Sequence, residues 1–253
     1  MKPFILLFTL LMLLPHSSEA IIMRHDIDSK QYRVEPSKYP SVVDLKFMTG
    51  TLIHPQWILT AAHGTSYIPA NYQITINGLE YQVKFIVNHP QYNARSVTHD
   101  IALLKLQRPV EGVKPTEVYS LFDETGKHVW FVGKGNVGNG KVGVTGKSSV
   151  LNHAENIVDG VAKRWLVFDF DAPGKGALPL EGISGPGDSG GPAFVNTPSG
   201  MKVAGVSSHQ RNNYFGEGLY HVEEYYTRTS TYKQWINQTM QKADKDLKKV
   251  SLK

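Results

Sequence analysis

The chain has 253 residues, no cysteine, and a formal net charge of +5 from 27 basic and 22 acidic side chains. The absence of thiols excludes disulfide staples, a thiol nucleophile and lipid attachment through cysteine, so stability must come from packing. Part of the positive charge lies in the tail QKADKDLKKVSLK. That tail reads as a solvated helix face, and no nucleic-acid partner is expected from it.

In chain order, the first twenty residues, MKPFILLFTLLMLLPHSSEA, carry Lys2, an apolar core from Phe4 to Leu14, Pro15, and small residues Ser18 and Ala20. This is the layout of a secretory signal peptide cut after Ala20. The core is too short to span a bilayer, and no comparable run follows it. The expectation is therefore a mature chain starting at Ile21, secreted or periplasmic, with no stable membrane insertion. An exported chain without cysteine suits a bacterial source better than a eukaryotic one.

Beyond residue 20, short apolar or alternating runs dominate: SVVDLKFM, TLIHPQWILT, YQITI, YQVKFIV, IALLKL, HVWFVG, RWLVFDF and KVAGVSS. Turn formers separate them, which predicts an all-β sandwich or barrel architecture rather than alternating helices and strands. Gln107–Thr116 reads as the connection between two halves. One helix is predicted near the C-terminus, over STYKQWINQTMQKADKDL, with Ser230 or Thr231 as its cap and Trp235, Ile236 and Met240 at helical spacing. Gly133 to Gly138 matches G-x-G-x-x-G after a strand, but the next residues are poor helix material. A nucleotide site needs a helix there, so the segment is expected to be a glycine-rich surface turn.

Three segments combine into a nucleophile system. TAAHG places His63 directly after a strand-like run, HDIALLKL places Asp100 directly before another, and GPGDSGGP supplies Ser189. A serine hydroxyl is a weak nucleophile near neutral pH and needs a neighbouring base. Histidine is the natural one, and a buried carboxylate fixes its tautomer and stabilises the imidazolium. Each residue alone is unremarkable; the information lies in the three contexts occurring together in the order His, Asp, Ser.

WILTAAH, DIALLKL and GDSGGP resemble the signature segments of chymotrypsin/trypsin-like serine proteases. Residues 39–53 resemble that family's first strands, and residues 225–236 its last strand and C-terminal helix. The resemblance implies an all-β fold of two six-stranded antiparallel β-barrels with a C-terminal α-helix. The barrels would span residues 21–115 and 116–229, with the helix and basic tail in 230–253. It implies a serine endopeptidase working through an acyl-enzyme: His63 as base then acid, Asp100 orienting it, Ser189 attacking. The N–H groups of Gly187 and Ser189 would hold the oxyanion, and Asp188 would pair with the α-ammonium of Ile21. Protein or peptide substrates and a monomer follow from the same likeness; the ten histidines are scattered with no close-spaced His/Asp/Glu set, so no metal or cofactor is expected.

Typical members carry a cysteine after the catalytic histidine, paired with one on the preceding strand; here those places hold Gly64 and Met48. Ser208 matches the serine that hydrogen-bonds the catalytic aspartate. In the specificity pocket, Ile183 stands at the base, while Gln210 and Glu224 replace two glycines of the wall. Taken alone, Ile183 argues for apolar or medium-sized side chains in the pocket; Glu224 suits basic ones or obstructs, and His209 suits acidic ones. The competing reading is a catalytically silent homologue that binds proteins or polyanions. Such proteins usually lose a triad member.

Overall fold

Alternation along one strand and unbroken burial along another already locate the first core. In Gln73–Ile76 the two isoleucines are buried and alternate with exposed Gln73 and Thr75, whereas Trp57–Thr60 is buried throughout. The first pattern belongs to a sheet edge with one wet face, the second to a strand covered on both faces. The computed structural model describes residues 21–174, 176–211 and 216–251, so the expected signal segment lies outside the described residues. The first described strand is β1 (Ile21–Met23). After it come β2 (Val42–Asp44), β3 (Thr49–His54), β4 (Trp57–Thr60), β5 (Gln73–Ile76), β6 (Leu79–Asn88) and β7 (Ala102–Leu106). These six form one antiparallel sheet in the order β2-β3-β4-β7-β6-β5. Met48 packs over the turn that follows β4: a Cβ on Gly64 would lie 2.6 Å from its sulfur.

The chain crosses to its second half between Leu106 and Glu117. There it builds β8 (Glu117–Val118), β9 (His128–Gly133), β10 (Asn136–Asn139), β11 (Gly143–Lys147), β12 (Asn152–Ile157), β13 (Gly160–Ala162) and β14 (Trp165–Asp169). The last strands are β15 (Gly182–Ile183), β16 (Pro192–Thr197), β17 (Gly200–Arg211) and β18 (Glu223–Arg228). A sheet runs β12-β9-β16-β17-β18-β14-β13, with β8 paired to β17. A smaller sheet runs β11-β10-β1-β15, so β1 is clamped between β10 and β15. The molecule is thus mostly β, with barrel-like sheets and one C-terminal α-helix, as expected.

That helix, α1 (Thr229–Ser251), begins two or three residues earlier than a cap at Ser230 or Thr231 would require. Thr229 and Ser230 are spent elsewhere: Thr229 Oγ1 donates to the Val203 carbonyl at 2.9 Å, and Ser230 Oγ donates to Glu124 at 2.6 Å. The helix then returns to the first sheet. Tyr232 and Ile236 join its core, and Lys105 of β7 reaches Asp244 at 2.9 Å.

The G-x-G-x-x-G segment is not a surface turn. Gly133 ends β9, Val137 and Gly138 lie in β10, and Gly133, Gly135 and Val137 are buried. Its immediate neighbours are poor helix material, but the glycines answer to a distant carboxylate, that of Asp188.

Candidate active site

Strand β4 ends at Thr60, and the turn that follows presents His63, whose side chain is about 29% exposed. Asp100 sits two residues before β7 and is fully buried. Its carboxylate holds the histidine twice: His63 N–H donates to Oδ1 at 2.8 Å and Nδ1 to Oδ2 at 2.7 Å. A carboxylate can only accept, so this contact puts a proton on Nδ1 and leaves Nε2 as the basic nitrogen. Ser208 Oγ donates to the same Oδ2 at 2.6 Å, and Thr227 Oγ1 donates to the Asp100 carbonyl at 2.7 Å. Ser208 therefore faces the aspartate.

Ser189 is half-buried and stands between the two sheets. Its carbonyl accepts from Thr49 N–H of β3 at 2.8 Å, and the next amide, Gly190, donates to the Ser207 carbonyl of β17 at 2.8 Å. Gly187, two residues earlier, has φ +96°, a conformation that glycine adopts without steric cost. Beside it opens a groove of about 340 Å³ lined by Phe47, Met48, Thr49, Lys134, Pro186 and Gly187.

Asp188 turns away from this groove into the interior, where it is 1% exposed. Its carboxylate accepts from Gly135 N–H at 2.6 Å and Gly185 N–H at 3.0 Å, and the backbone nitrogens of Ile21 and Lys134 also act on it. Burial pushes its pKa up to about 6, against the pull of those amides. The close approach explains the distant glycines: a Cβ on Gly133 would lie 2.0 Å from Asp188 Oδ1, and one on Gly135 2.5 Å from the Asp188 nitrogen. Ile21 is fully buried at this spot and carries φ +75°, a left-handed backbone that is an outlier for a β-branched residue.

Of the residues expected to line the specificity pocket, Glu224 and Gln210 gather on Ser184, Ile183 turns into the core, and Ser208 goes to Asp100. Ile183 pairs with Ile22 across β15 and β1 and packs in a small buried cluster with Phe170 and Val222. Glu224 is buried, with Oε2 accepting from Ser184 N–H at 2.8 Å and Oε1 held by the Ser184 hydroxyl. The Ser184 hydroxyl also meets Ser207 Oγ at 2.8 Å. Gln210 spans the same region: its Nε2 donates to the Ser184 carbonyl at 3.0 Å, and its Oε1 accepts from Gly218 N–H at 3.1 Å. Burial raises the Glu224 pKa to about 8 despite the Ser184 donors, with Asp188 adding a like-charge push. Nothing local in the sequence marks Ser184 or Ser207, because their roles come from partners on other strands.

The Trypsin family matches residues 29–236. A chymotrypsin-like elastase family member 1 from Macaca fascicularis is 26% identical over 237 residues, covering 81% of this chain and 86% of that protein. Granzyme B from Rattus norvegicus is 30% identical over 212 residues, 77% of this chain and 79% of that protein. A trypsin from Simulium vittatum is 37% identical over a shorter stretch of 68 residues, 24% of this chain and 28% of that protein. The protein is a serine-type endopeptidase. Within that class the chain belongs to the Trypsin family.

Proposed function

We propose that the protein is exported, cut before Ile21, and hydrolyses peptide bonds through an acyl-enzyme on Ser189. The observation that carries this reading is the double hold of Asp100 on His63, backbone and ring together. His63 Nε2 takes the Ser189 proton as Oγ bonds to the scissile carbonyl carbon. The negative charge moves onto the carbonyl oxygen, where the N–H groups of Gly187 and Ser189 receive it. Preorganised donors of this kind are worth about 10²–10³ in rate each. Collapse breaks the C–N bond, and His63 returns the proton to the leaving amine. Water then repeats the sequence: His63 takes its proton, the ester bond breaks, and Ser189 recovers its hydrogen.

Cleavage before Ile21 is supported by what surrounds that residue. Its nitrogen already lies among the donors to Asp188. A cut would turn that amide into an ammonium and abolish the φ torsion that is costly for isoleucine. On the specificity side, Glu224 and Gln210 occupy the region beside Ser184 and are satisfied within the protein. The enzyme therefore selects small, uncharged side chains at the cleaved bond.

The test is intact-mass analysis before and after a fluorophosphonate probe, run beside Ser189→Ala. A starting mass matching residues 21–253 and one adduct, absent in the alanine variant, upholds the reading. An Ile21-start protein that takes no adduct and cuts no peptide overturns it.

A further inference from the structure

The hydrogen bonds behind His63 do not stop at Ser208. Ser208 Oγ lies 2.6 Å from Asp100 Oδ2 and 3.1 Å from His209 Nδ1. The serine has one hydrogen, and a carboxylate can only accept, so that hydrogen goes to Asp100. The contact with His209 is then a hydrogen bond with His209 as donor, which places a proton on Nδ1 and leaves Nε2 bare. Nε2 is buried and has no hydrogen-bond partner among the described residues. Burial, with Arg211 adding to it, depresses the His209 pKa to about 4, so the ring stays neutral near physiological pH. Packing holds the ring in place: it stacks on Tyr225 at 5.1 Å and meets Trp165 edge-on at 5.0 Å.

We propose that His209 is a positioning residue for the nucleophile system, the outermost link of a chain running His209 Nδ1–H, Ser208 Oγ–H, Asp100 and His63 Nδ1–H. The proposal rests on the roles given to His63 and Ser189 above. A hydroxyl that accepts a hydrogen bond becomes a better donor, so His209 strengthens the hold of Ser208 on Asp100. It also fixes which lone pair Ser208 can offer and so aims the hydroxyl at the carboxylate. His209 touches no reacting atom. The charged groups acting on it are Arg211 on its own strand, whose guanidinium lies over the Tyr225 ring, with Asp100 and His63 across the network. Tyr225 from β18 and Trp165 from β14 face it uncharged near neutral pH.

Two substitutions separate the hydrogen bond from the packing. His209→Phe keeps a ring against Tyr225 and Trp165 but has no donor. His209→Asn gives up the ring but carries an amide N–H where Nδ1 stood. The expected result is that fluorophosphonate labelling of Ser189 slows roughly two- to tenfold in His209→Phe, the range one hydrogen bond spans, and stays within about twofold of the parent in His209→Asn. The low-field proton resonance of His63 Nδ1–H should move in the phenylalanine variant and hold its place in the asparagine variant. Labelling and resonance unchanged in His209→Phe, or a loss confined to His209→Asn, would overturn the proposal. Because the resonance needs no turnover, it scores the chain even if the parent protein takes no label, an outcome that would sink the proposed function instead.

Discussion

The Asp188 carboxylate accepts a 2.6 Å hydrogen bond from Gly135, and the backbone of Gly135 approaches so closely that a Cβ there would lie 2.7 Å from the Pro186 carbonyl. The loop that carries Ser189 is therefore seated on a backbone more than fifty residues away. Gly135→Ala should push Pro186–Asp188 off this seat. Overpacking of this kind typically costs about 1–3 kcal/mol. We expect a lower melting temperature and a fall in kcat/KM larger than the stability loss alone explains, measured with a small peptide ester under conditions where the variant is folded. Parent-like activity would mean that the Ser189 loop is positioned without this contact.

Asp188 has amide partners in the uncut chain, and its pKa is raised to about 6 by burial. A raised folded value favours folding at low pH, and that stabilisation is lost as pH climbs from the ordinary carboxylate value of 3.8 through about 6. An ammonium at Ile21 would reverse this by favouring the charged carboxylate. The cut form should accordingly be more stable than the uncut one between about pH 6 and the pKa of the new amine, near 8. Asp188→Asn should remove the difference. In the cut form it should cost about 3–5 kcal/mol, since it strands a buried charge. Thermal melts of both forms across pH decide the matter.

Glu224 offers a separate pH handle. Its folded pKa is raised by burial from the ordinary glutamate value of 4.5 to about 8. Its contribution to stability is whole below the lower value and is lost as pH rises through the upper one. Glu224→Gln keeps the shape and stays neutral, so its melting temperature should fall less than the parent's between pH 6 and 9. Parallel curves for the two proteins would contradict a buried, neutral Glu224.

Gln210 ties the Ser184 carbonyl to the Gly218 amide. Gln210→Ala removes that tie at a cost of about 1 kcal/mol in stability. If Gln210 restricts the pocket, the variant should gain roughly tenfold in kcat/KM on peptides with a larger apolar residue at the cleaved bond, relative to alanine there. A peptide panel read by product mass would show this. An unchanged profile would place the restriction elsewhere.

What could be read from the sequence was whatever depends on near neighbours. Strand periodicity and the helix over Trp235–Met240 are local patterns, and so are the contexts of His63 after β4, Asp100 ahead of β7 and Ser189 in its glycine-rich turn. Gly133 and Gly135 have no local explanation, because their reason is a carboxylate more than fifty residues downstream. Likewise, Ile183 could be placed relative to Ser189 by counting, but pairing with Ile22 puts its side chain in a buried cluster. The contacts of Ser184 with Glu224, and of His209 with Ser208, depend on register between strands or on the turn of a ring. No linear spacing encodes either.

Met48 lies against Gly64, at the two places where the family resemblance implies a covalent sulfur bridge, and the contact is a thioether packed on a bare backbone. Thiol reductants have nothing to cut there, so the junction beside His63 should keep its shape in a reducing medium. Its exposure is to the opposite chemistry. Peroxide acting on Met48 during a local opening would install a polar sulfoxide in a site with room only for sulfur, and reclosure would be impeded. The substitution thus exchanges a junction that fails when electrons are supplied for one that fails when they are withdrawn.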